Sequence, residues 1–119
     1  MEAEFKLTSE VHDEVLIMYA SGYLNNEGGE KISLEFDKNF EKGLKKVIIN
    51  LEKIKVVNSI GISFLIEVIE KLNETDGKLI FTNLEPAIEK TLKIMGLFNY
   101  AGKETTIDSA LKLLGEGIE

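Results

Sequence analysis

The spacing of apolar residues along the chain predicts an alternating order of strands and helices. Residues 5–8 alternate apolar and polar side chains, and residues 15–19 form a short apolar run of the kind found in buried strands. The polar residues 9–14 between them predict a turn, and Gly22 predicts the end of the second strand. The N-terminal third is therefore predicted to form a β-hairpin.

After the hairpin, two segments of the chain place their apolar residues at helical spacing. Residues 25–29 have the composition of a loop and helix entry, and the apolar positions after them recur at helical spacing, predicting a first helix that ends at Gly43 or just beyond. Residues 59–73 place apolar side chains on one face and charged ones on the other, which predicts an amphipathic second helix.

Short apolar runs separate the helices. Residues 46–51 are almost continuously apolar, which is typical of a central strand covered on both faces. Residues 78–82 predict another strand, and residues 97–100 predict a short edge strand.

Two further helices complete the pattern. Pro86 suits the first turn of a third helix over residues 87–95, with Gly96 as its C-terminal stop. Thr106 or Asp108 is predicted to cap a last helix. Helices that alternate with strands after the hairpin predict an α/β fold: a mixed sheet of four to five strands with a parallel core and about four helices.

Composition limits the size and setting of this fold. The chain has 119 residues, 44% hydrophobic and 29% charged, which predicts a single globular domain over residues 1–119. No apolar run is long enough for a membrane helix, and the acidic residues 1–4 do not resemble a signal peptide, so we expect a cytoplasmic protein with no membrane insertion. Because there are no cysteines, disulfides and thiolate zinc sites are excluded.

The charge distribution argues against nucleic-acid binding. The net charge is −7, and the lysines form no basic patch that could follow a phosphate backbone. Every basic residue is lysine, so the planar bidentate donor that phosphate-reading sites usually employ is missing. We therefore expect the protein to carry a phosphate rather than to recognise one.

The segment before the second helix holds the candidate chemistry. Asn58 and Ser59 fall at the predicted helix start, and both residue types make good N-caps because their side-chain oxygens accept from free backbone N–H groups. Taken alone, this pattern favours a structural cap.

The same residues also carry a family resemblance. The segment Asn58-Ser59-Ile60-Gly61-Ile62 resembles the Asp-Ser-(Ser/Thr)-Gly-Leu signature of bacterial anti-sigma factor antagonists, which are STAS domains. Further similarity covers residues 16–25, 47–51, 84–87 and 94–98, in matching order along nearly the whole chain. The resemblance implies a STAS fold, with Ser59 as the residue that becomes phosphorylated.

The resemblance also implies a function. The protein would be a binding switch that sequesters an anti-sigma factor, itself a serine kinase, and releases it when Ser59 is phosphorylated; a cognate phosphatase would reset the switch. The residues expected to meet the partner are Asn58, Ile60, Gly61, Gly22, Asn25 and Asn26. Asn58 and Ile60 depart from the signature, and Asn25 replaces an acidic residue of the family.

Other functions have less support in the sequence. A hydrolase built on Ser59 would need a base, but the only histidine is His12 in the predicted turn, and no Gly-x-Ser-x-Gly motif occurs. The sequence contains no phosphate-binding glycine loop and no histidine cluster, so we expect no cofactor and no metal. Because Ser59 also lacks a base, we expect no enzyme activity.

The main alternative is a STAS subunit of a lipid-transport or stress-signalling complex in which Ser59 is never modified. Small-molecule binding in the loop cleft would rest on fold analogy alone.

Overall fold

One five-stranded sheet and four α-helices account for most of residues 4–116, which are the residues that the computed structural model describes. The strands are β1 Lys6–His12, β2 Val15–Leu24, β3 Lys46–Val57, β4 Lys78–Thr82 and β5 Gly102–Glu104. The helices are α1 Asn26–Phe40, α2 Ser59–Asn73, α3 Pro86–Ile94 and α4 Ile107–Glu116.

The strands lie in the sheet in the same order as in the chain. β1 is antiparallel to β2, and β2, β3, β4 and β5 are parallel to their neighbours. This arrangement confirms the predicted mixed sheet with a parallel core, and it places the carboxyl ends of four strands along one edge.

Helices cover both faces of the sheet. A larger core joins the sheet to α1, α2 and α3 and includes Phe36 and Leu65, while a smaller core places Ile48 and Ile80 beneath Ala110 of α4. Burying a phenylalanine, leucine or isoleucine side chain contributes about 1.5–3 kcal/mol to the stability of the fold. β3 is covered on both faces, which is why its first half is almost continuously apolar.

The predicted hairpin is present, but the expected turn over residues 9–14 is wrong. β1 continues to His12, which pairs with Val15, so the turn contains only Asp13 and Glu14. Both residues have positive φ angles, 50° and 68°, as a type I′ hairpin turn requires. Polar residues are frequent in β1 because it is an exposed edge strand, and this polarity concealed its second half, residues 9–12, in the sequence.

The expectation that Gly22 ends the second strand is also wrong. Gly22 has a φ of 95° at a register shift within β2, and the strand continues to Leu24. Glycine therefore marks a bulge here, two residues before the strand ends.

The prediction of a loop and helix entry at residues 25–29 is right for the entry, which Asn25 caps, and wrong for the extent of the loop. α1 already begins at Asn26, and its first turn contains Gly28 and Gly29. A Cβ at Gly28 would lie 2.6 Å from the Phe5 ring, and one at Gly29 would lie 2.5 Å from Phe64. These glycines allow the helix to approach its neighbours closely.

The elements of the C-terminal third agree in part with the prediction. α3 ends before Gly96, whose φ is 86°, as predicted. The predicted strand at residues 97–100 is wrong, because Leu97–Asn99 forms a 3₁₀ turn and the strand comes later, at Gly102–Glu104. The Thr106 hydroxyl oxygen accepts from the Ser109 N–H at 3.0 Å and so caps α4. Residues 1–3 and 117–119, including part of the acidic start, lie outside the described residues.

Candidate functional site

The N-terminal end of α2 is built around the side chain of Asn58. The Asn58 Oδ1 atom accepts a hydrogen bond from the Gly61 N–H at 2.8 Å, and the Asn58 Nδ2 atom donates to the Tyr23 hydroxyl at 3.3 Å. Asn58 is therefore the N-cap, and Ser59 is the first residue of the helix. The cap that the sequence left open between Asn58 and Ser59 is provided by Asn58.

Ser59 is exposed at this helix terminus. Since Asn58 supplies the capping oxygen, the Ser59 hydroxyl is not needed to close the helix. Ile60, the next residue, is 52% exposed. The two residues together present a small hydroxyl beside an apolar surface.

Gly61 presses the first turn of α2 against the end of β2. A Cβ at Gly61 would lie 2.4 Å from the carbonyl oxygen of Leu24, so no other residue fits without movement of the backbone. The Asn58 N–H donates to the same carbonyl at 3.1 Å. The start of α2 is thus fixed to the corner between β2 and α1.

That corner supplies the second part of the site. Asn25 caps α1 by accepting from the Gly28 N–H at 3.0 Å, and Asn26 is exposed in the first turn. Two asparagine-capped helix starts therefore lie on either side of the Leu24 carbonyl. The free N–H groups and dipoles of helix N-termini favour negative charge, and this is the main electrostatic feature of the site.

The expected partner-binding residues divide into two groups. Asn58, Ile60, Asn25 and Asn26 are at least partly accessible and lie around Ser59 in the folded chain, whereas Gly22 and Gly61 are buried. The structure thus gives the two glycines a backbone role. Gly61 lets the start of α2 lie against Leu24, and Gly22 supplies the positive φ at the irregularity of β2.

Two residues of this region were missed by sequence reasoning. Tyr23 bonds to Asn58, and Val56 is 52% exposed near the end of β3. β4 pairs with β3 only as far as Asn50, so the last residues of β3 extend beyond that neighbour. The alternation of charged and apolar residues after Leu51 was the signal that could have revealed the longer strand.

Two of the described residues, Tyr19 and Glu35, have clearly shifted pKa values, and both bond to residues of β1 rather than to the start of α2. The pKa of Tyr19 is raised to about 12, first because its hydroxyl donates to the Glu10 carboxylate at 2.6 Å. The pKa of Glu35 is lowered, chiefly because its carboxylate accepts from the Ser9 hydroxyl. Neither group takes part in the chemistry proposed for Ser59.

Residues 4–116 contain neither a metal-binding cluster nor a membrane-spanning helix. No group of three or more histidine, aspartate or glutamate side chains is arranged to hold a metal ion there. Within the same residues, no helix combines the length and apolar character needed to span a bilayer.

Comparison with known proteins finds one family that this chain resembles over most of its length. The STAS domain family model matches residues 6–110. BtrV of Bordetella bronchiseptica, named provisionally as an anti-sigma factor antagonist, is 26% identical over 94 residues, which cover 79% of this chain and 81% of BtrV.

Solved structures share the same fold. SpoIIAA from Bacillus in its phosphorylated form has a TM-score of 0.72 at 21% identity, over 93% of this chain and 99% of SpoIIAA. A sulfate transporter family protein from Wolinella succinogenes has a TM-score of 0.75 at 21% identity, over 90% of this chain and 92% of that protein. At such identities the structural likeness establishes the fold alone.

Proposed function

The chain belongs to the STAS domain family, and from that premise we propose that it is an anti-sigma factor antagonist controlled by phosphorylation of Ser59. The observation that carries the proposal is the exposed Ser59 at the first position of α2, next to a cap that does not use its hydroxyl. Two relatives support it: BtrV by its name, and SpoIIAA, an anti-sigma factor antagonist with a phosphorylated form.

In the unphosphorylated state the protein binds its partner. Ser59 is small and neutral, and the exposed side chains of Ile60 and Val56 offer apolar surface for close docking. The partner is an anti-sigma factor with serine kinase activity, whose capture frees the sigma factor. A cognate phosphatase restores the hydroxyl, and the antagonist works in the cytoplasm without a reaction of its own.

Phosphorylation reverses the binding. The phosphate adds roughly −1.5 to −2 charges at neutral pH. The helix terminus stabilises this charge by about 0.3–1 kcal/mol, so the domain stays folded. A partner that covered the site would have to desolvate the phosphate, and the affinity falls for that reason.

Phosphorylation by the candidate kinase of the same genome tests the proposal. The protein is incubated with that kinase and ATP, and the phosphate is located by mass spectrometry. Wild type should be labelled on Ser59, Ser59→Ala should bind the kinase without being labelled, and Ser59→Asp should bind at least about tenfold more weakly.

Ser63→Ala is a matched control, because Ser63 is another exposed serine of α2, one turn further on, whose hydroxyl donates to the Ile60 carbonyl at 2.6 Å. This variant should be labelled like wild type. Labelling that persists in Ser59→Ala, or that is lost in Ser63→Ala, would contradict the assignment of Ser59.

A second candidate role is favoured by two substitutions in the signature. Asn58 and Ile60 stand where the family signature has aspartate and a small hydroxyl residue. They suit a STAS subunit of a lipid-transport or stress-signalling complex in which Ser59 stays unmodified. A wild-type protein that the kinase does not label, and that co-purifies with transporter components, would support this role against the first.

A further inference from the structure

The outer edge of β1 is free to pair with a further strand. β1 is the first strand in the sheet order, and no strand within residues 4–116 pairs with its outer side. All of its side chains are exposed except that of Leu7, which is half-buried. A free edge of this kind presents backbone N–H and C=O groups that can form hydrogen bonds with another chain.

The hairpin turn decides which backbone groups of β1 point outward. His12 pairs with Val15 across the two-residue turn, so these two residues exchange backbone hydrogen bonds. Bonded and non-bonded residues alternate along an antiparallel pair, so every second residue from His12 back to Lys6 bonds to β2. The residues between them direct their N–H and C=O groups away from the sheet; these are Leu7, Ser9 and Val11.

The charges of β1 are complementary to a second copy of the same strand in one antiparallel register. When Thr8 of one copy lies opposite Thr8 of the other, Lys6 of each copy lies opposite Glu10 of the other. In the same register Leu7 exchanges backbone hydrogen bonds with Ser9 of the second copy, which matches the groups that point outward. Threonine pairs and opposite-charge pairs across strands both stabilise antiparallel pairing.

Other registers that use the same outward groups lack this match. Centring the pair on Ser9 places Glu10 opposite Thr8, and centring it on Glu10 places the two Glu10 carboxylates opposite each other. The Thr8-centred register also places Val11, which is 54% exposed, opposite Phe5 of the second copy. Pairing in this register therefore joins opposite charges and covers an exposed apolar side chain.

We propose that the chain associates with a second copy of itself through antiparallel pairing of the two β1 strands about Thr8. The two sheets then form one continuous sheet, with a two-fold axis at the Thr8 pair. A single pair of edge strands buries less surface than a permanent dimer, so the association is reversible and is populated at high protein concentration. The interface uses none of the residues around Ser59, so it stands or falls independently of the proposed switch.

Sedimentation equilibrium of the full chain between about 10 µM and about 1 mM tests this proposal. The average mass should rise from that of one chain toward that of two. Lys6→Glu and Glu10→Lys should each weaken the association at least about tenfold, because each places like charges opposite each other at two symmetric positions. The double variant Lys6→Glu/Glu10→Lys restores opposite charges with the roles exchanged, and its affinity should return to within about threefold of wild type.

Recovery in the double variant would come from contact between copies. Within one chain Lys6 and Glu10 are about 13 Å apart along the strand, too far for an ion pair. The double variant also keeps the net charge of wild type. Glu10→Lys removes the carboxylate that accepts from the Tyr19 hydroxyl, and the double variant does not restore that bond, so damage to the hairpin alone predicts no recovery.

Lys42→Glu and Glu67→Lys are the matched controls, because they make the same charge changes at exposed positions outside β1. Their association should stay within about threefold of wild type, since distant exposed charges are screened by salt. A wild-type chain that stays single at the highest concentration, a double variant as weak as the single variants, or equal weakening by the controls would overturn the proposal.

Hydrogen exchange of the wild-type protein gives a readout that needs no substitution. The outward amides of Leu7 and Ser9 should exchange more slowly at high than at low protein concentration, because pairing gives them acceptors. Exchange of these two amides at a rate that does not change as the average mass rises would place the contact elsewhere and would overturn the proposal.

Discussion

Asn58 uses both ends of its amide group, and this explains why asparagine can stand where the family signature has aspartate. Its oxygen caps α2 through Gly61, and its nitrogen bonds to Tyr23. The capping task needs only an acceptor oxygen, which either residue type provides. The change from aspartate thus removes charge beside Ser59 while keeping the helix start.

A substitution series at Asn58 should separate the stabilising effect of the cap from the effect of charge. Asn58→Ala should lose about 1 kcal/mol of unfolding free energy, because the cap is gone. Asn58→Asp should stay within about 1 kcal/mol of wild type, since it keeps the cap and adds a charge that the helix terminus favours. Urea denaturation at neutral pH measures both, and an alanine variant as stable as wild type would show that the cap is not needed.

Gly61 is a residue where even the smallest side chain should destabilise the fold. Gly61→Ala should lower the unfolding free energy by about 1–3 kcal/mol, because its Cβ meets the Leu24 carbonyl and the backbone must shift. Gly115→Ala is the control: Gly115 lies in α4 with open space around its Cβ position, so alanine should be neutral or stabilise by up to about 1 kcal/mol. Equal effects at both positions in urea denaturation would contradict the close approach.

Among single residues, the sequence predicted the polar residues of the site better than the residues that pack around them. Asn58 and Ser59 were recognisable because capping residues have a local signature. Tyr23 and Val56 were missed, since their roles depend on which strand ends lie side by side. Gly28 was misinterpreted because its requirement, space for the Phe5 ring, comes from a residue on another element.

Among the elements, the β1–β2 hairpin has a turn whose sequence does not suit its shape. Asp13 and Glu14 both have positive φ, which aspartate tolerates and glutamate does not favour. The double substitution Asp13→Asn/Glu14→Gly creates the preferred type I′ pair and should raise the unfolding free energy by about 1 kcal/mol. Thermal and urea denaturation would measure the gain, and a loss of stability would argue against this turn type.

The contact of β1 with α1 should make stability depend on pH. The Ser9 hydroxyl donates to the Glu35 carboxylate at 2.6 Å and lowers the pKa of Glu35 in the folded state. A lowered folded pKa contributes stability above the unfolded pKa of about 4.3, and this contribution is lost as the pH falls through the folded value.

Ser9→Ala removes that contribution. At pH 7 the variant should be less stable than wild type by about 0.5–1 kcal/mol, a modest amount because Ser9 is exposed. The difference should shrink as the pH is lowered below the folded pKa of Glu35. Urea denaturation at pH 7 and at successively lower pH values compares the two proteins, and a difference that is the same at every pH would contradict the role of the Glu35 charge.

Element types were more predictable than element lengths. α2 was predicted over its full extent, because a cap, an amphipathic repeat and an Asp-Gly stop all agree. β3 was predicted only as far as Leu51, since its second half pairs with β2 alone and exposes Glu52, Lys53 and Lys55. β5 was misplaced because a three-residue strand has too few side chains to form a pattern.

For the molecule as a whole, the fold and the proposed switch are physically separate. The cores on both faces of the sheet hold the domain together, and Ser59 belongs to neither of them. The net charge is already −7, so a phosphate changes the total modestly but changes the local field at the α2 terminus strongly. If Ser59 is phosphorylated as proposed, this separation lets binding be lost while the structure is retained.

The stability of the phosphorylated domain tests that separation. Phosphorylation of Ser59 should leave the melting temperature unchanged or raise it by a few degrees, because the free N–H groups of the first turn and the helix dipole stabilise the added charge by about 0.3–1 kcal/mol. Repulsion from acidic residues more than about 8 Å away is small, since charges at that distance are screened at physiological salt. Circular dichroism melts of the two forms, compared at 0.15 M salt, measure the shift. A large drop in melting temperature, with collapse of the amide NMR dispersion, would mean that loss of partner binding comes from unfolding rather than from charge at the docking surface.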